Sequence, residues 1–125
     1  LVLIYSGKAD EAIVAAEKAF RLNPKPPSYF FLYRGVAHYH KGKFETALSD
    51  LKEAKDLAPN SIDITRRLAA CYSALGREDE ARTEIAALYK LSPNLSIAYL
   101  AKMWPYKNQA DLDHVINDLR KAGFK

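Results

Sequence analysis

Gly7-Lys8-Ala9-Asp10-Glu11-Ala12 returns twice further along the chain, as Gly42-Lys43-Phe44-Glu45-Thr46-Ala47 and as Gly76-Arg77-Glu78-Asp79-Glu80-Ala81. The three glycines are 35 and 34 residues apart, and a proline stands 17 residues after each, at Pro24, Pro59 and Pro93. A fixed period of this size marks a stacked repeat in which each unit buries its apolar face against the next. Two helical patterns run through each unit. Ser28 to Lys41 carries apolar groups at helical spacing and no proline. After Gly42, the residues Ala47, Leu48, Leu51, Ala54 and Leu57 fall on one helix face. The glycine ends the first helix because it enters the left-handed region without a Cβ clash. The proline stops the second, since it has no N–H and disfavours the α region before it. Each unit therefore reads helix, tight turn, helix, proline.

Within this frame the middle unit carries Phe31, Arg34-Gly35, His38, Ala47, Leu51 and Pro59. The third carries Thr65, Leu68-Ala69, Tyr72, Ala81, Ile85 and Pro93, and the first keeps only Leu3, Ala12, Ala16 and Pro24. The run resembles the tetratricopeptide repeat, with its Trp-x2-Leu-Gly-x2-Tyr, Ala-x3-Phe and Pro landmarks over a period of about 34 residues. The resemblance implies an all-α fold, an antiparallel helix-pair solenoid wound as a right-handed superhelix and closed by a C-terminal capping helix. It divides one domain, residues 1–125, into a truncated first repeat (1–26), two full repeats (27–60 and 61–94) and capping helices (95–125). Small residues at Gly35, Ala47, Ala69 and Ala81 let helix backbones cross closely. Three features depart from the pattern. Arg34 replaces the signature Leu and His38 the Tyr; Asn23-Pro24-Lys25-Pro26-Pro27 stiffens the first junction; and the first unit lacks most of its first helix. Since the chain opens on Leu1 rather than Met, an excerpt of a longer protein is expected.

With 125 residues of which 49% are hydrophobic, the chain has material for one core. The single Cys71 excludes an internal disulfide and fits a reducing, cytoplasmic setting. No apolar run approaches the roughly 18 residues that span a membrane, and Leu1 to Tyr5 is too short for a signal-peptide core. The net charge of +4 is carried by residues 1–43, where seven Lys/Arg meet three acids. That excess is small beside the basic surfaces of nucleic-acid binders, so no nucleic-acid partner is expected.

A catalytic site requires converging titratable groups in defined roles, and none is recognisable. His38 and His40 are two apart on a helix and face different ways, so they cannot chelate one metal. His114 has no second His or Cys near it in sequence. Cys71 falls in a core-facing run and reads as a small buried group. Gly35 to Gly42-Lys43 fails as a phosphate loop, with six residues between its glycines and Phe44 in place of Ser/Thr. No catalytic, cofactor-binding or metal-binding residue is assigned.

The resemblance implies that the first helix of each unit lines a concave groove. Carried over, that groove comprises Tyr29, Leu32, Tyr33, Val36, Tyr39 and His40 from one unit and Asp63, Arg66, Arg67, Ala70 and Ser73 from the next. Tyrosines offer wide contact at low entropy cost and arginines can hold a carboxylate, so a protein or peptide ligand is implied. The alternative is that the tyrosines pack against the absent first helix of unit one. In that case the exposed apolar N-terminal face favours self-association. Leu32 and Val36 stand where chaperone-binding members of the family carry polar clamp residues, which argues against that ligand.

After Pro93 the glycine phrase does not return. Leu95 to Met103 reads as one more first helix, Trp104-Pro105-Tyr106-Lys107 as a break, and Asn108 as the cap of a last helix with the stripe Leu112, Val115, Ile116 and Leu119. That helix is read as a cap on the open end of the stack or as a partner-binding amphipathic helix. Pro105-Tyr106-Lys107, Asp111-Leu112 and Leu119-Arg120-Lys121-Ala122-Gly123 resemble the C-terminal repeat region of bacterial class III adenylate/guanylate cyclases. The expected function is thus a non-catalytic interaction and regulatory segment of a bacterial signalling protein, or else a free-standing adaptor.

Overall fold

Every repeated landmark in the sequence becomes a boundary in space. A computed structural model describes the backbone of residues 2–125 and the side chains of residues 4–125. The place of Leu3 in the repeat pattern, and the apolar run Leu1 to Leu3, lie outside the described side chains. The described elements are all helices: α1 (Val2–Tyr5), α2 (Ala9–Leu22), α3 (Ser28–His40), α4 (Phe44–Leu57), α5 (Ile62–Ala74), α6 (Glu78–Leu91), α7 (Ile97–Met103) and α8 (Gln109–Lys121). Helices α2, α4 and α6 each stop two residues before Pro24, Pro59 and Pro93. At the tight turns Gly42 and Gly76 adopt φ of +78° and +75°. There Lys43 N–H donates to His38 C=O at 2.9 Å and Gly42 N–H to Tyr39 C=O at 3.0 Å. Arg77 and Gly76 repeat the pattern on Tyr72 and Ser73. This is the paired closure that satisfies the last carbonyls of a helix, and it folds α4 back on α3 and α6 back on α5.

The units then stack, α2 on α3 and α4 on α5. The result is an all-α repeat solenoid. Its crossings are as close as the small residues predict: a Cβ added at Gly35 would meet Leu51 Cγ at 2.9 Å, and Ala47, Ala69 and Ala81 are fully buried. Ala47→Leu is accordingly expected to overpack the α3–α4 crossing and cost about 1–3 kcal/mol. An unchanged melting temperature would show that the crossing lies elsewhere.

Arg34, the departure from the signature Leu, has a structural account. Its guanidinium donates to both oxygens of Asp50 on α4, at 2.9 and 2.7 Å, and lies 4.1 Å over the Phe20 ring of α2. One side chain thereby ties α2, α3 and α4 together. His38 packs into the core and burial lowers its pKa. Helix α2 is different: none of its residues is buried. Val14 and Leu22 stand 67% and 79% exposed. Ala12, Ala15, Ala16 and Ala19 line a hollow of about 180 Å³ with Ile4, Phe30 and Tyr33.

The tail does more than close the end of the stack. Ser96 caps α7 and Asn108 caps α8, its side chain accepting from Ala110 and Asp111 N–H at 2.9 and 3.3 Å. Between them the Trp104–Asn108 turn crosses to the N-terminal end of the molecule, where Lys107 N–H donates to Tyr5 C=O at 2.8 Å. Helix α8 then runs back against α5.

Candidate functional site

The face built by α3 and α5 is the site the repeat pattern points to, and its own chain covers it. Val115 of α8 enters a tight apolar seam formed by Val36, Tyr39, Leu51, Arg67 and Ala70. Leu112, Ile116, Leu119 and Ala122 complete the buried stripe of α8. In this structure the face is not an open groove, and the eleven residues carried onto it separate into four environments. Leu32, Val36 and Ala70 belong to the core. Tyr29 is half exposed and packs on Phe30 and Tyr33, and Tyr33 turns toward the alanine hollow of α2. Tyr39, His40, Asp63, Arg66 and Arg67 form the polar part of the α3–α5 face. Ser73 is half-buried at the end of α5.

The polar part converges on one phenol. Tyr106 OH lies 2.6 Å from His40 Nε2 and accepts from Arg67 Nη1 at 2.6 Å. Its ring meets that of Tyr5 edge-on at 4.7 Å between centroids. Trp104 is buried beneath two cations, the guanidinium carbons of Arg66 and Arg67 lying 4.7 and 4.5 Å from its ring centre. Arg66 in turn is bound to Asp63, Nε to Oδ1 at 3.0 Å. From the neighbouring position on α3, Tyr39 OH donates to Asp118 Oδ2 of α8. His114 stacks on the Tyr39 ring at 5.2 Å and reaches the same carboxylate oxygen at 3.2 Å. Trp104, Tyr106, His114 and Asp118 are absent from the groove list because periodicity ties them to the tail. Pro105, which breaks the helix and redirects the chain, is the signal that could have placed them.

Electrostatics follow from this burial. Desolvation raises the pKa of Tyr39, and the Asp118 carboxylate beside it adds to the effect. Tyr106 is raised by burial, with the Arg67 charge pulling the other way. Cys71, buried with its Sγ donating to Phe44 C=O at 3.3 Å, is pushed up to about 12 by burial, which makes it an inert packing group. The His40 side chain, expected to line an open groove or meet solvent, is only 3% exposed. Burial first, then the charges of Arg67 and His114, lower its pKa to about 3. The Asp111 carboxylate, 4.0 Å from Nδ1 and partly solvated, acts in the opposite sense and does not offset them.

A pH dependence follows. The folded pKa of about 3 lies below the ordinary histidine value of 6.5, so the unfolded chain takes up the proton first. His40 therefore contributes stability above pH 6.5 and loses it as the pH falls toward 3. Between pH 6.5 and 4.5 the loss is expected to reach about 2–3 kcal/mol. Urea unfolding of the wild type against His40→Asn checks this: the variant should have the flatter profile, and parallel profiles would refute the assignment.

Among the described residues no cluster of His, Cys, Asp or Glu could hold a metal ion, and no helix is long and apolar enough to cross a membrane. The family model described as anaphase-promoting complex, cyclosome, subunit 3 matches residues 6–88. It is a family of the tetratricopeptide-repeat type. The chain belongs to it. Tetratricopeptide-type repeats bind proteins or peptides and are generally non-catalytic, and this chain is such an interaction module. The match covers α2 to α5 and most of α6, while α7 and α8 lie beyond it. No curated protein matches the chain.

Proposed function

We propose that this repeat module is the non-catalytic interaction and regulatory segment of a larger bacterial signalling protein, a nucleotide cyclase, working in the cytoplasm. The partner surface in this reading is the α3–α5 face, with Tyr39, His40, Arg66 and Arg67 as its polar contacts and a protein or peptide as its ligand. The observation that carries the cyclase parent is the tail. Four of the residues through which it resembles cyclase C-termini dock it: Tyr106 on Arg67 and His40, and Leu112, Leu119 and Ala122 in the buried stripe, while Pro105, Lys107, Arg120, Lys121 and Gly123 are exposed. The aromatic and apolar members of the motif thus share one docking geometry, which is unlike a chance match of surface residues.

The test is cyclic-nucleotide production from ATP and GTP, with Mg²⁺ and Mn²⁺, by the native protein with and without residues 1–125. A changed rate on deletion supports a regulatory segment of a cyclase. No activity in the intact protein removes the cyclase and leaves a free-standing adaptor. The exposed apolar side chains of α2, Val14 and Leu22, favour self-association as the adaptor's mode. A strictly monomeric mass by light scattering at high concentration would count against that mode.

A further inference from the structure

The seam between the tail and the α3–α5 face is chemically incomplete. Among the described residues five buried side-chain polar atoms lack a hydrogen-bond partner, and three of them, Arg67 Nε, His40 Nδ1 and Trp104 Nε1, lie in this one seam. Arg67 is the centre of the deficit. Its donors go to two phenols, Tyr106 at 2.6 Å and Tyr5 at 3.5 Å. The nearest carboxylate oxygen, on Asp63, is 3.7 Å from Nε and already accepts from Arg66. A buried guanidinium is matched better by a carboxylate, which accepts two parallel charge-assisted bonds, than by neutral hydroxyls. Buried polar atoms without partners also make an interface easier to exchange for a better one.

The root of the tail is loosely held as well. The principal packing of α7 is on α8 rather than on the repeats. Tyr99 and Met103 of α7 stand 52% and 59% exposed. The tip is thus seated like a ligand, by an apolar stripe and a few polar contacts, at the end of a weakly anchored arm.

We infer that residues 104–125 are a displaceable internal plug. The external partner that fits beneath is an amphipathic helix that repeats the tail's apolar stripe and sets a carboxylate against Arg67 where the tail sets the Tyr106 phenol. This rests on the reading of the α3–α5 face as the partner surface. The partner competes with a tethered segment, whose effective concentration is high. The better-matched carboxylate is what lets it win, and the region opens locally while the repeats stay folded.

The probe is a synthetic peptide of residues 105–125 carrying Tyr106→Glu, added to the full chain. The peptide lacks tryptophan, so Trp104, the chain's single Trp, reports on the plug alone. Saturable red-shifted Trp104 emission is expected. Amides of α8 should exchange with solvent about tenfold faster or more while α3 and α5 keep their protection. The peptide with the natural Tyr106 should bind about tenfold more weakly. Unchanged α8 protection at millimolar peptide, or loss of protection in α8 and α5 together, overturns the plug. Equal affinity of the two peptides overturns the carboxylate match. Tyr106→Phe in the full chain, which keeps the ring and removes both hydroxyl contacts, should by itself speed α8 exchange; a single shared opening of α8 and α5 in this variant also overturns it. If the plug opens but deletion leaves cyclase output unchanged, only the cyclase reading fails.

Discussion

Replacing Phe124 by alanine is expected to weaken tail docking by about 3–5 kcal/mol, the usual cost of emptying a buried phenylalanine site. Phe124 is the largest fully buried side chain in the described chain, although it is the penultimate residue of the sequence. Its burial begins with a turn. Gly123 has a φ of +99°, and Phe124 N–H donates to Leu119 C=O at 3.0 Å. This is the closure that ends α3 and α5, and it brings the residue after the glycine back over the last helical turn. Phe124 therefore packs beside Leu119 and against the Tyr89 ring of α6, 5.5 Å between centroids. Lys125 N–H adds a bond to Tyr89 OH at 3.1 Å. These contacts fasten the far end of α8 to the last repeat. The loss should therefore be local. Trp104 emission in the variant should shift at lower urea than the far-ultraviolet helix signal, splitting one transition into two. Coincident transitions at the wild-type midpoint would mean that Phe124 does not secure the tail.

The repeat was legible because its chemistry is local. A glycine at +78° or +75° and a proline two residues beyond a helix act on their own backbone, so spacing alone positioned α2 to α6. The small residues were legible for the same reason, since a close crossing needs them whatever the partner. What covers the α3–α5 face was not. The stripe on α8 states that one side of the helix is buried but does not say against what. Its destination depends on contacts far apart in sequence: Lys107 with Tyr5, Tyr106 with Arg67, Asp118 with Tyr39. No periodicity encodes those pairs. Tyr39, His40 and Arg67 lie on one face, yet that the chain's own tail is seated on it appears only when the path through Pro105 is known. The Arg34–Asp50 pair is a further case, in which an apparent defect in the signature becomes a bond between helices.

Tyr39→Phe should destabilise the protein by about 2–4 kcal/mol, far more than one hydroxyl contributes at a wet site. The reason lies in what remains. Asp118 is 3% exposed on α8, and Tyr39 OH is the donor it meets from the repeat side. His114 Nε2 approaches at 3.2 Å from one turn away, but its own side chain is partly exposed to solvent. Removing the phenol strands a carboxylate where water does not reach, and that desolvation is no longer offset. Replacing both partners with apolar groups removes the stranded charge, so Tyr39→Phe with Asp118→Leu should recover most of the loss and be more stable than Tyr39→Phe alone. Urea unfolding of the two single variants and the double gives the coupling, expected at about 1–3 kcal/mol. The sign is decisive. If the second substitution adds to the loss, Asp118 is satisfied without Tyr39 and the bond is incidental. If it rescues, the pair holds α8 by mutual need more than by attraction, and displacing the tail must expose both groups to water together.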